Sequence, residues 1–111
     1  MTATVIVPTM VQIRKIPTTI IYGATERRLM KLNFEAPKTY QNDWVLLSTY
    51  LSSAECANVF SIHLNVDTRV ADTATNVLAV DTFTYTSADG KVVASGTTTG
   101  TVLGEMIYWT E

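Results

Sequence analysis

The sequence predicts an all-β protein: a β-sandwich or small barrel of about six to seven mostly antiparallel strands with one short helix. Three observations support this fold class. Threonine, whose β-branched side chain fits a pleated surface, occurs nineteen times. Short apolar runs alternate with polar residues at a period of two. Turn-forming residues separate these runs at intervals of about ten residues.

Length and composition predict a single β domain over residues 1–111 with one core. Apolar residues make up 47% of the chain and charged residues only 16%, where about a quarter is usual. The one cysteine, Cys56, excludes an internal disulfide and is expected to be a buried structural thiol. A chain of this length buries enough surface to fold without metal or disulfide bonds.

The first third of the chain predicts three strands. Apolar residues alternate along residues 5–13, where Pro8 cannot donate to a ladder and so places this strand at an edge or a bulge. A short strand at residues 17–23 ends in a turn at Gly23. Residues 27–35 alternate again and form a half-buried strand.

The middle of the chain predicts a loop and a short helix. Pro, Asn and Asp mark residues 36–44 as the loop. After it, apolar residues including Leu47 and Leu51 recur at helical spacing, which predicts one or two helical turns. Asp43 or Ser48 is expected to cap this helix.

The last half predicts the remaining strands. Residues 59–67 alternate so that Phe60 and three further apolar residues share one face. Residues 77–86 resume β structure, and "SADG" predicts a hairpin turn with left-handed Gly90. Residues 101–109 are apolar on both faces except for Glu105, so this strand is either central or covered by a partner.

Charge and hydropathy limit the partners. The net charge of −2 argues against nucleic acid as a general partner, and no apolar run reaches the length of a membrane span. The N-terminus lacks a secretory signal, so we expect synthesis in a cytoplasm and no secretion. Residues 1–40 balance to +4 and residues 41–111 to −6. Either these parts neutralise each other within one fold, or a positive face on one copy meets a negative face on the next.

The sequence carries only weak signals for a catalytic site or a metal site. His63 is the only histidine and shares the polar strand face with Ser61, but nothing marks a nucleophile beside it. Asp67, Asp72 and Asp81 border a polar loop and are a weak calcium alternative. We therefore expect no enzyme activity, no catalytic residue, no metal and no cofactor.

Two pairs of aromatic residues are candidates for contacts. Tyr40 and Trp44 flank the loop, where such rings either close one end of the core or stack on a sugar. Tyr108 and Trp109 point to opposite faces of the last strand, so we expect one in the core and the other in a subunit contact.

The order of four segments resembles a known family. They are "ERRLMKLNF", "TYQNDWVLLSTYLSSAECANVFSIHL", the hairpin "VDTFTYTSADGKVVASG" and the closing strand "TVLGEMIYW". Together they resemble small structural proteins of tailed bacteriophages, of the decoration or minor capsid type. The resemblance implies a virion protein that forms homo-oligomers, with a trimer favoured, and that binds a major capsid protein.

We therefore expect a capsid decoration or cement component that acts through subunit contacts. Residues 1–13 are expected to be an extended or exchanged arm that adds a strand to a neighbour's sheet. The expected interface residues are Val5, Val7, Val11, Arg27, Arg28, Tyr108 and Trp109. The alternative is a carbohydrate- or surface-binding sandwich module that uses Tyr40 and Trp44.

Overall fold

The computed structural model describes residues 3–22, 25–67, 78–80, 82–97 and 99–110, and within them eight strands form two antiparallel sheets. The strands of the larger sheet are, in spatial order, β1 (Met10–Tyr22), β2 (Thr25–Lys38), β8 (Gly100–Thr110), β4 (Val59–Asp67) and β5 (Leu78–Val80). Those of the smaller sheet are β3 (Trp44–Leu46), β7 (Lys91–Ala94) and β6 (Phe83–Thr86). The all-β prediction is confirmed.

The core lies between one face of the larger sheet and the smaller sheet with its helical segment. Alternation along β2 and β8 places every second side chain on this inner face. The buried apolar residues are Leu32, Phe34, Ala36, Val45, Leu47, Leu51, Cys56, Leu64, Val66, Val92, Ala94, Val102, Met106 and Tyr108. The described residues thus contribute to one continuous cluster, as expected for a sandwich.

The first two strands form a long hairpin. The sequence predicted separate strands at residues 5–13 and 17–23, but the structure has one strand, β1, with a register shift between Lys15 and Thr19. Pro17 lies in this irregular stretch, so the interruption in the apolar pattern marks a bulge on an edge strand. The predicted turn at Gly23 lies outside the described residues.

The helical segment is correctly predicted, but its cap is not. A 3₁₀ helix at Leu47–Thr49 and α1 (Ser53–Ala57) follow β3. Ser52 caps α1: its side chain accepts the N–H of Glu55, whose carboxylate accepts the N–H of Ser52. This reciprocal capping box replaces the expected caps Asp43 and Ser48.

The hairpin between β6 and β7 is confirmed. Gly90 has a φ of 68°, and its N–H donates to Thr86 O at 2.9 Å. A Cβ at Gly90 would also lie 2.7 Å from Cys56 Sγ, so the turn packs directly on α1. The sequence predicts β structure at residues 77–86, and in the structure this run contains two strands, β5 and β6, which belong to different sheets.

The side chain of Phe60 lies on the opposite face from the one predicted. The register of β4 against β8 shifts between Val59 and Ser61, and Phe60 occupies this bulge. The bulge turns the ring onto the outer face, where it is 52% exposed, while Leu64 and Val66 point into the core as expected. Strict alternation fails where an extra residue is inserted.

The central strand β8 carries a glycine under an aromatic ring. Gly104 lies directly opposite Phe34 on β2, and a Cβ at Gly104 would come within 2.2 Å of Phe34 Cε2. The Phe34 ring therefore fills the space that a larger residue at position 104 would need.

We predict that Gly104→Ala lowers the free energy of unfolding by about 2 kcal/mol, because the new methyl group displaces a buried ring. Urea denaturation measures this change. In a Phe34→Leu background the same substitution should cost less, because the clashing ring atoms are gone. An equal cost in both backgrounds would contradict the packing described for Phe34 and Gly104.

Candidate functional site

The N-terminal strap, residues 3–9, links the two sheets of its own chain. Ile6 N–H donates to Trp44 O at 2.8 Å and Trp44 N–H donates to Thr4 O at 3.2 Å, so the strap adds to the edge of β3 in parallel. It then crosses to the larger sheet, where Thr9 N–H donates to Glu35 O at 2.8 Å. The expected arm, residues 1–13, is thus bound within its own chain over its described part, and from Met10 onward it is β1.

A buried carboxylate anchors the strap. Asp43 has no exposed surface, and its two oxygens accept the N–H groups of Thr4, Thr39 and Tyr40, each at 2.9 Å. Burial by itself would raise the pKa of Asp43, but the hydrogen bonds from Tyr40, Thr4 and Thr39 outweigh it and hold the pKa below its ordinary value. The carboxylate therefore stays charged and fixes the strap to the loop before β3.

Two of the three predicted apolar contact residues on this segment are exposed. Val5 is 48% and Val7 73% exposed, whereas Val11 packs against the core. A shallow apolar cleft of about 100 Å³ lies between the strap and the side chains of Leu46 and Tyr50. The strap thus presents apolar surface beside a small recess.

An aromatic cluster, Arg27, Phe60 and Trp109, occupies one end of the outer face of the larger sheet. The Phe60 and Trp109 ring centroids are 5.3 Å apart with planes inclined by 31°, and the Arg27 guanidinium carbon lies 5.4 Å from the Trp109 centroid. Trp109 Nε1 is buried and has no hydrogen-bond partner among the described residues. Arg28, the other predicted cation, is exposed on the next position of β2.

The prediction that Tyr108 belongs to an interface is wrong. Its side chain is only 1% exposed and lies in the core, so it cannot form a contact with another chain. Burial, together with the nearby charge of Glu55, raises the pKa of Tyr108 to about 12. The two aromatic residues divide as the alternation of β8 predicts, with Tyr108 inside and Trp109 on the outer face.

Both residues of the alternative ligand-binding pair make contacts within their own chain. Trp44 is half-buried in β3, its main chain holds the strap, and Lys91 Nζ lies 4.5 Å from its ring centroid. Tyr40 is half-buried in the loop, where its N–H bonds Asp43. A sugar module on these rings stays a prediction.

Among the described residues, the side chains that were considered for catalysis or metal binding do not form a common site. His63 is exposed on the outer face of the larger sheet, directly opposite Glu105. Cys56 is fully buried, and burial with the charges of Glu55 and Asp89 raises the pKa of its thiol. Within the described part of the chain no three metal-ligating side chains come together. The predicted calcium ligands Asp72 and Asp81 lie outside that part.

No helix in the described ranges is both long and apolar enough to cross a membrane. Comparison with family models, with curated proteins and with solved structures found no match for this chain. The resemblance to phage structural proteins therefore stays a prediction from the sequence.

Sequence reasoning missed the roles of two residues, the buried anchor Asp43 and the exposed Phe60. Asp43 was considered only as a helix cap, because nothing in the sequence shows that Thr4 returns to it. Phe60 was expected on the same strand face as Leu64 and Val66, because an alternating pattern does not reveal a bulge. The Asn-Asp pair in the loop was the only local signal for a carboxylate that binds its own backbone.

We predict that Asp43→Asn lowers the free energy of unfolding at pH 7 by about 3 kcal/mol, because an amide directs its own N–H₂ at buried donors. The pKa of Asp43 is lower in the folded chain than the ordinary 3.8, so its stabilising contribution is complete above that value and is lost as the pH falls below it. Urea denaturation at pH 7 and pH 3 measures both effects.

Asp89→Asn is the matched control, because Asp89 is exposed and accepts a single N–H, that of Lys91. The wild type and this control should lose stability between pH 7 and pH 3 by more than Asp43→Asn does. Equal losses in all three proteins would show that Asp43 is not the carboxylate responsible.

Proposed function

We propose that the protein is a viral structural component, of the capsid decoration or cement type, which works through contacts with copies of itself and with a head lattice. The observation that supports this proposal best is the aromatic cluster on the outer face of the larger sheet. Aromatic and arginine side chains are enriched where protein surfaces meet, and they contribute most of the binding energy there.

The fold holds the cluster rigidly in place. Trp109 belongs to β8, which pairs with β2 on one side and β4 on the other. Phe60 is brought beside it by the bulge in β4, which exposes an apolar ring that simple alternation would have buried. A pre-positioned patch of this kind loses little conformational entropy on binding.

The indole N–H of Trp109 lies inside the cluster and not on its exposed side. Trp109 Nε1 is buried without an acceptor among the described residues, and such a donor costs about 1–3 kcal/mol. The exposed part of the cluster is the Phe60 ring, so the cluster fits a protein surface that offers apolar groups to that ring.

The arrangement of the side chains in the aromatic cluster favours a protein partner over a sugar. Sugar binding needs an open, flat aromatic face, but one side of the Trp109 ring faces Arg27 and the Phe60 ring is inclined to it. The strap adds a second exposed apolar surface at Val5 and Val7. A lattice protein needs several such surfaces and no catalytic group.

We predict that Phe60→Ser weakens self-association by about tenfold or more, because it removes the most exposed ring of the cluster. Light scattering over a range of concentrations measures the mass relative to the 12.2 kDa monomer. Phe83→Ser is the matched control, because Phe83 is 39% exposed on β6 of the other sheet.

The wild type and the control should form the same oligomer, and Phe60→Ser should dissociate at higher concentration than either. An oligomer that neither substitution weakens would contradict the role of the cluster. A wild type that stays monomeric at every concentration would contradict self-assembly. Binding of glycans that is lost in Trp44→Ala would then support the sugar module instead.

A further inference from the structure

The outer edge of β1 offers a short row of main-chain groups that have no partner among the described residues. β1 is the terminal strand of the larger sheet, and no described strand lies along its other side. A register shift after Lys15 and the crossing strap before Met10 bound this free edge at both ends. The usable segment is therefore residues 10–15.

The direction of each main-chain group follows from one hydrogen bond. Glu35 on β2 pairs with Met10, and its carbonyl accepts Thr9 N–H, so the main chain of Glu35 faces β1. Because successive residues of a strand point their N–H and C=O groups to opposite sides, Gln12 and Arg14 also face β2. The N–H and C=O groups of Val11, Ile13 and Lys15 accordingly point away from the sheet.

This edge also exposes apolar side chains. Ile13 is 42% exposed although its partner on β2, Leu32, is fully buried, and Met10 is exposed at the start of the strand. A row of free main-chain groups beside exposed apolar side chains is the usual template for pairing with another strand. The remaining question is which strand it pairs with.

We infer that β1 pairs antiparallel with the β1 strand of a second copy, about a two-fold axis at Ile13, so that the two larger sheets become continuous. In this register Ile13 faces Ile13 of the other copy, Val11 faces Lys15, and Gln12 faces Arg14. All three outward positions then exchange hydrogen bonds, about six in total. The inference rests on the proposed function in that both require self-association.

Two-fold axes at the other residues of this segment give less favourable pairing. An axis at Arg14 or at Lys15 sets two cations directly opposite each other, which destabilises a strand pair. An axis at Gln12 or at Val11 brings an outward residue opposite Thr9, whose N–H already bonds Glu35. The axis at Ile13 uses every free donor, separates the like charges and covers the exposed Ile13 side chain.

Self-pairing of this kind ends with the dimer. A two-fold contact uses the same edge on both copies and leaves none free, so it closes and does not form a filament. The bulge and the strap prevent the pairing from extending along the rest of β1. Larger assemblies would then need the aromatic cluster as a second contact.

Disulfide trapping tests this register in the full-length chain. Ile13→Cys should oxidise to a covalent dimer, because hydrogen-bonded antiparallel positions lie about 5.5 Å apart between Cα atoms, within disulfide range. Gln12→Cys or Arg14→Cys alone should react at least about tenfold more slowly, whereas a mixture of these two variants should cross-link rapidly. The native Cys56 is fully buried and does not compete.

Ile13→Pro supplies a second test that leaves the fold intact. The N–H at position 13 points outward, so proline removes no hydrogen bond from the chain's own ladder. We expect a Tm close to that of Ile13→Val and a dissociation constant higher by about tenfold or more, because two hydrogen bonds between the copies are lost.

The outcomes separate the two proposals. If the wild type self-associates but Ile13→Cys does not cross-link and Ile13→Pro keeps the wild-type mass, the β1 contact is wrong and the proposed function stands. If Gln12→Cys cross-links alone, the register is wrong. If the wild type is monomeric and β1 binds only a foreign strand, the second copy is the wrong partner and self-association fails with it.

Discussion

The two sheets are held together at one end by a buried carboxylate. Asp43 accepts the N–H groups of Thr4, Thr39 and Tyr40 through its side chain, and its own carbonyl accepts Ala94 N–H at 2.9 Å. One residue thus joins the strap, the loop after β2 and the end of β7. Because the strap leads directly into β1, this anchor also fixes where the edge strand begins. The free edge of β1, one of the candidate contact surfaces, depends on that placement.

Local chemistry made much of the fold predictable. Alternation located β4 to the residue, and turn chemistry identified left-handed Gly90. The apolar character of β8 left two alternatives, a central strand or a strand covered by a partner, and the structure places β8 at the centre of the larger sheet. The errors arose where a distant contact decides the structure. The three-residue strand β3 lies beside a helical pattern and exists because β7 and the strap pair with it. Nothing local distinguishes such a strand from a loop.

The surfaces were less predictable than the fold. Alternation correctly placed Trp109 and Tyr108 on opposite faces, but only packing shows that Tyr108 is the buried one. The aromatic cluster depends on a bulge that redirects Phe60, and the free edge depends on which strand ends the sheet. Both are properties of long-range pairing. A sequence pattern gives the face of a side chain within a strand, but it does not give the neighbour of that strand.

The central claim is that copies of this chain meet through surfaces built on the larger sheet. Amide hydrogen exchange followed by NMR, in dilute and in concentrated protein, tests it most directly. The account predicts slower exchange at high concentration for the amides of Val11, Ile13 and Lys15, with no change at exposed Thr84 on β6. Exchange rates that are independent of concentration at all three β1 sites would contradict it.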